Sequence, residues 1–64
     1  MKFGIFKDAE FIRETDKASL FLINEEEVWV PHSLIEDRDD EGFLMIPMWF
    51  VKQKELEPDD DYES

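Results

Sequence analysis

The stretch Glu27-Val28-Trp29-Val30-Pro31-His32-Ser33-Leu34-Ile35 decides the fold. Val28, Trp29 and Val30 are strand formers. Pro31 donates no ladder hydrogen bond, so it ends or kinks the strand. The stretch carries the only His, one of two Trp and one of three Pro in the chain. Acidic runs bracket it, Glu25-Glu26-Glu27 before and Glu36 to Glu41 after. A segment that must be buried thus lies between two that must be solvated.

Working outward, Ala18-Ser19-Leu20-Phe21-Leu22-Ile23 reads as a central strand, short and apolar on both parities, with both faces covered. Asn24-Glu25-Glu26 is the turn between the two strands, since Asn tolerates the left-handed backbone of tight hairpins. Residues 3–13 read as a first strand, with Phe6 and Phe11 on opposite parities. A bulge at Gly4 or at Lys7-Asp8 would repair that parity, and a short helix over residues 8–14 is the competing reading. On the other side, Glu36-Asp37-Arg38-Asp39-Asp40-Glu41-Gly42 is a solvated loop and Phe43-Leu44-Met45-Ile46 a further strand. Pro47 suits the first position of a helix over residues 48–56, which Pro58 stops. Residues 58–64 are expected to be a disordered acidic tail and residues 1–57 the single folded domain. The expected class is mainly β: a small antiparallel sheet or SH3-like open barrel of three to five strands, with a short C-terminal helix.

The chain has 64 residues and a formal net charge of −11. A domain this short has a thin stability margin and usually needs a disulfide, a metal or a partner. There is no Cys and one His, which excludes disulfides, Cys-based zinc sites and His-rich sites. The remaining routes are an aromatic core or association. The charge argues against direct nucleic-acid binding and against anionic membranes, because both draw affinity from Lys and Arg. It favours a basic partner. No apolar run approaches the roughly 20 residues of a membrane span, and the N-terminus lacks the apolar core and cleavage site of a secretory signal. The cytoplasm of a host cell is the default expectation.

Few residues suggest catalysis. His32 and Ser33 are neighbours, and strand neighbours point to opposite faces, so they do not form a base and nucleophile pair. Asp37, Asp39 and Glu41 alternate as calcium-loop ligands do, with Gly42 in the sixth place, but Met48 occupies the twelfth, where a Glu is required. Acid–base work by paired carboxylates needs a pocket that separates their protonation. The expectation is no catalytic residue, no cofactor and no metal. Trp29, Phe43, Trp49 and Phe50 are candidates for the core or for a self-association face, with Trp29, Phe43 and Trp49 expected to hold the scaffold.

Glu26-Glu27-Val28-Trp29-Val30-Pro31-His32-Ser33-Leu34-Ile35, then Gly42, then Ile46-Pro47-Met48-Trp49-Phe50 resembles a type of small, largely uncharacterised β domain of phages and mobile elements. In that pattern a strand ends in Trp-Val/Ile-Pro-x-Ser and the chain closes on Ile/Val-Pro-x-Trp-Leu. The similarity covers roughly residues 17–56. The chain departs at His32, where the pattern has Lys, and in its acidic loop and tail, so the nucleic-acid role of longer relatives is not carried over. The resemblance implies a phage setting, in which small acidic proteins often inhibit host defence, anti-CRISPR and anti-restriction proteins among them.

Carboxylates on successive same-face strand residues lie about 7 Å apart, close to the phosphate spacing along one strand. Glu25, Glu26, Glu27, Asp37, Asp39, Asp40 and Glu41 are therefore the candidate partner-binding residues, occupying a basic surface meant for nucleic acid. The alternative is a structural or accessory domain that forms a homodimer through its aromatic face.

Overall fold

The computed structural model describes residues 1–64. In chain order it contains β1 (Lys2–Phe6), β2 (Glu10–Glu14), β3 (Ala18–Ile23), β4 (Glu26–Pro31), a 3₁₀ turn (His32–Leu34), β5 (Asp37–Arg38), β6 (Leu44–Pro47), α1 (Met48–Gln53) and β7 (Asp60–Glu63). The chain is mainly β with one short helix, as expected. Its strands form two antiparallel sheets, ordered β5-β6-β1-β7 and β2-β3-β4, and neither closes into a barrel.

β3 is central in its sheet because it is apolar on both parities. Ser19, Phe21 and Ile23 are buried on one face, and Leu20 on the other. The hairpin from β3 to β4 turns on two residues, Asn24 and Glu25, with φ of 52° and 65°. Positive φ at both central residues matches the right-handed twist of the strands. The Asn24 amide also clasps the segment after the helix: its Oδ1 accepts from the Glu57 N–H at 2.7 Å, and its Nδ2 donates to the Glu57 carbonyl at 3.3 Å. Pro31 ends β4 as expected and turns the chain into the 3₁₀ turn, where the His32 N–H donates to the Lys17 carbonyl at 2.8 Å.

Residues 3–13 are not one strand. They divide at Lys7-Asp8 into β1 and β2, which enter different sheets. Phe6 and Phe11 differ in parity because they belong to different ladders. The one bulge lies farther on: Phe11 pairs Phe21 and Arg13 pairs Leu20, which leaves Ile12 as the extra residue.

The core lies between the sheets and α1. Phe6, Phe21, Ile23, Val30, Leu44, Ile46 and Val51 are its most buried side chains. Gly4 lets the helix approach β1, since a Cβ there would sit 2.8 Å from Val51 Cγ2. The helix ends before Pro58, at Gln53. Glu55, with φ 57°, donates its N–H to the Lys52 carbonyl at 3.1 Å, and the Leu56 N–H donates to the Val51 carbonyl at 3.0 Å. This is a Schellman closure, and buried Leu56 and Val51 supply its hydrophobic contact. Glu55 holds a left-handed conformation that favours Gly. Glu55→Gly is expected to stabilise the fold by about 0.5–1 kcal/mol, read as a rise of a few degrees in Tm. A lower Tm in that variant would refute the closure.

The acidic C-terminus is ordered, contrary to the expected tail. β7 pairs β1 with Phe3 opposite Tyr62 and Ile5 opposite Asp60. Asp59 Oδ2 accepts the Lys7 N–H at 2.7 Å, Lys2 Nζ lies 3.3 Å from Asp61 Oδ2, and the Met1 ammonium donates to the Ser64 carbonyl at 2.7 Å.

Candidate partner-binding surface

A group of the chain's acids gathers where the two sheets meet. A groove of about 570 Å³ runs between the start of β2 and the loop from β5 to β6. Asp8, Glu10, Asp39, Asp40 and Glu41 line it, and Arg38 is the one cation among them. An adjoining hollow of about 320 Å³ is lined by Asp8, Glu10, Glu25 and Asp59 together with Leu22. The two share Asp8 and Glu10, so the hairpin tip and the acidic loop form one belt. Glu27 joins it through register: Glu10, Leu22 and Glu27 lie opposite one another across β2, β3 and β4. At the usual strand spacing, Glu10 and Glu27 are about 10 Å apart.

Local chemistry fixes the loop. Asp39 Oδ1 accepts from the Glu41 N–H at 2.8 Å and from the Phe43 N–H at 3.0 Å. Gly42, with φ 105°, passes so close to the link between β1 and β2 that its carbonyl accepts the Ala9 N–H at 2.9 Å. The Arg38 guanidinium lies 4.8 Å from the Phe11 ring centroid and 5.4 Å from that of Phe21, so it covers the open end of the core. Its contact with Asp40 is long, at 4.0 Å, and neutralises little of the belt.

Of the seven predicted binding acids, the structure brings Glu25, Glu27, Asp39, Asp40 and Glu41 into the belt. Asp37 is not with them: it lies opposite Met45, on the other face of the four-stranded sheet. Glu26 lies opposite Ile23, on the parity of Val28 and Val30, and stays exposed at the end of the hairpin. Sequence reasoning missed Asp8, Glu10 and Asp59. Asp8 and Glu10 gave a weak signal, single acids beside apolar residues, and Asp59, at the head of an acidic run read as tail, meets Lys7 from 52 positions away.

The aromatic expectation needs correction. Trp29 and Trp49 do not hold the scaffold; they are 41% and 52% exposed. Trp29 lies on the outer face of β4, opposite Leu20, with the Arg13 guanidinium 5.9 Å from its ring. Trp49 meets Phe50 edge-to-face at 5.9 Å. Phe50 is buried in the core, and Phe43 is half-buried in a separate slot.

His32 is not on a strand, and its neighbour Ser33 is not its partner. Its Nε2 lies 3.0 Å from Ser19 Oγ and 3.5 Å from Glu14 Oε2. The trio has the residue types of a hydrolytic triad without its geometry. A triad uses one ring nitrogen for the nucleophile and the other for the acid, whereas here both contacts fall on Nε2. Ser19 is also only 2% exposed, which closes it to a substrate. The arrangement satisfies the one buried polar side chain and pins the 3₁₀ turn to β3. His32→Ala is therefore expected to cost about 1–2 kcal/mol by leaving the Ser19 hydroxyl unpaired, measured as a lower midpoint in urea. The double variant His32→Ala/Ser19→Ala should recover most of that loss.

No group of three or more carboxylate or imidazole side chains converges to hold a metal ion. Asp37 lies on the outer face of the four-stranded sheet and Asp39 is engaged by its own loop, so the alternating acids do not meet as calcium ligands. No helix is long and apolar enough to cross a membrane. Comparison with protein-family models, curated proteins and solved structures gives no match.

Proposed function

We propose that the protein is a non-enzymatic acidic binding protein that occupies the basic surface of a nucleic-acid-binding host defence complex, in the manner of an anti-CRISPR DNA mimic. The observation that supports this reading is the continuity of the belt from Glu25 and Glu27 through Glu10 and Asp8 to Asp40 and Glu41. Exposed carboxylates on a strand framework present a row of negative charge, as a phosphate backbone does, at wider intervals of about 10 Å. Such complexes assemble fast and weaken as salt rises.

The test is affinity capture from a bacterial lysate carrying defence systems, with wild type and with the triple variant Glu10→Lys/Glu27→Lys/Glu41→Lys. These three carboxylates make no hydrogen bond or ion pair within the fold, so the variant should melt within a few degrees of wild type. Wild type should retain a nucleic-acid-binding complex at low salt and release it near 1 M salt, where the screening length is about 3 Å. The triple variant should retain none. Equal capture by both proteins would overturn the proposal.

A further inference from the structure

The outer face of the four-stranded sheet carries a second surface, separate in composition from the acidic belt. Alternation along β1 sends Gly4 and Phe6 toward the helix and core, and Phe3 and Ile5 outward. Phe3 is 7% exposed yet stands outside the main core cluster, because its neighbours belong to this outer face. With Ile5, Phe43, Met45 and Tyr62 it lines an apolar slot of about 380 Å³. No element of the chain is stacked over it.

Strand register fixes the charge around the slot. Asp37, Met45, Ile5 and Asp60 lie opposite one another across β5, β6, β1 and β7. One row thus crosses the whole sheet with two apolar side chains in the middle and an exposed carboxylate at each end. Three inter-strand steps separate the carboxylates by about 14 Å. Glu36 adds a further negative charge to the slot wall.

We infer that this face docks an amphipathic basic helix of a partner protein. The helix would lie across the strands, its apolar side chains in the slot and one Lys or Arg over each of Asp37 and Asp60. At 1.5 Å rise and 3.6 residues per turn, two cations on one helix face that span this row stand about eleven residues, or three turns, apart. A second copy of this chain is the poorer occupant. A two-fold contact between these faces would set the end carboxylates of one copy against those of the other, and each copy brings a net charge of −11. The helix meets the apolar centre and both charged ends at once.

The experiment uses a stapled helical peptide with Leu and Phe on one face and a Lys at each end of that face, about eleven residues apart. Binding is followed by amide chemical shifts and by fluorescence titration. The expected result is shifts at Ile5, Met45 and Tyr62, and binding at least tenfold weaker when Glu replaces both Lys. The double variant Asp37→Lys/Asp60→Lys should reverse the preference and bind the Glu peptide better, a swap that general acidity does not produce. No binding of the Lys peptide overturns the inference. So do shifts confined to Asp8, Glu10 and Asp40, which would assign the peptide to the belt. A dimer in sedimentation that shields Tyr62 overturns it in favour of self-association. The triple belt variant should bind the peptide as wild type does, so this surface and the proposed function fail separately.

Discussion

Phe6→Ala is expected to leave the chain largely unfolded at 25 °C. Phe6 ends β1, is 2% exposed, and packs in the cluster that joins the two sheets. It also floors the hollow beside Ile23 and Asn24, so its ring supports the hairpin as well as its own sheet. Replacing a buried Phe by Ala costs about 3–5 kcal/mol, from lost transfer energy and the cavity left behind. A single core in a chain this short rarely supplies more than about 3–5 kcal/mol in total. The two magnitudes are equal, and no disulfide or metal site makes up the difference. The loss should appear as collapsed amide dispersion and no cooperative thermal transition. Phe6→Leu, which keeps most of the volume, should fold with a loss of about 1–2 kcal/mol. A cooperative melt of Phe6→Ala within a few degrees of wild type would refute this view of the core.

Gly42→Ala is expected to cost about 2–4 kcal/mol and to lower Tm on the order of 10–20 °C. Two effects add. The φ of 105° lies where side chains are rarely tolerated, and a Cβ there would stand 2.6 Å from the Lys7 carbonyl oxygen and 3.3 Å from Asp8 Cα. Both neighbours are backbone, so relief requires the loop to leave the link between β1 and β2. That movement breaks the Ala9 to Gly42 hydrogen bond and removes Asp40 and Glu41 from the belt. The variant should therefore lose partner capture at temperatures where it is still folded. A chemically synthesised chain with D-alanine at this position accommodates positive φ and should recover most of the stability. Unchanged melting of Gly42→Ala would show that the loop does not hold this conformation.

Much of the fold was legible because local pattern and long-range pairing agree there. β3 reads as central from its two apolar parities, and Asn24 marks the hairpin. Pro31 and Pro47 fall where strands end. Legibility ends where composition and pairing disagree. Residues 60–63 are acidic enough to read as solvated tail, yet backbone ladders do not depend on side-chain charge. Tyr62 over Phe3, Lys2 beside Asp61 and the joined chain ends set their register. Trp29 reads as core from its hydrophobicity, but Val28 and Val30 take the buried parity and turn it outward. The candidate site was legible in its clustered acids only. Glu10 and Asp8 join the belt because β1 and β2 part into different sheets at Lys7-Asp8, a topological event that no local motif announces.

Mutual exclusion with nucleic acid tests the proposed function most directly. The measurement is the anisotropy of a fluorescent duplex bound to the captured complex, titrated with this protein at low salt. Belt occupancy of the basic surface predicts full displacement of the duplex, a midpoint that rises with duplex concentration, and no displacement by Glu10→Lys/Glu27→Lys/Glu41→Lys. A ternary complex in which the duplex and this protein are bound together, with the anisotropy unchanged or increased, would contradict it.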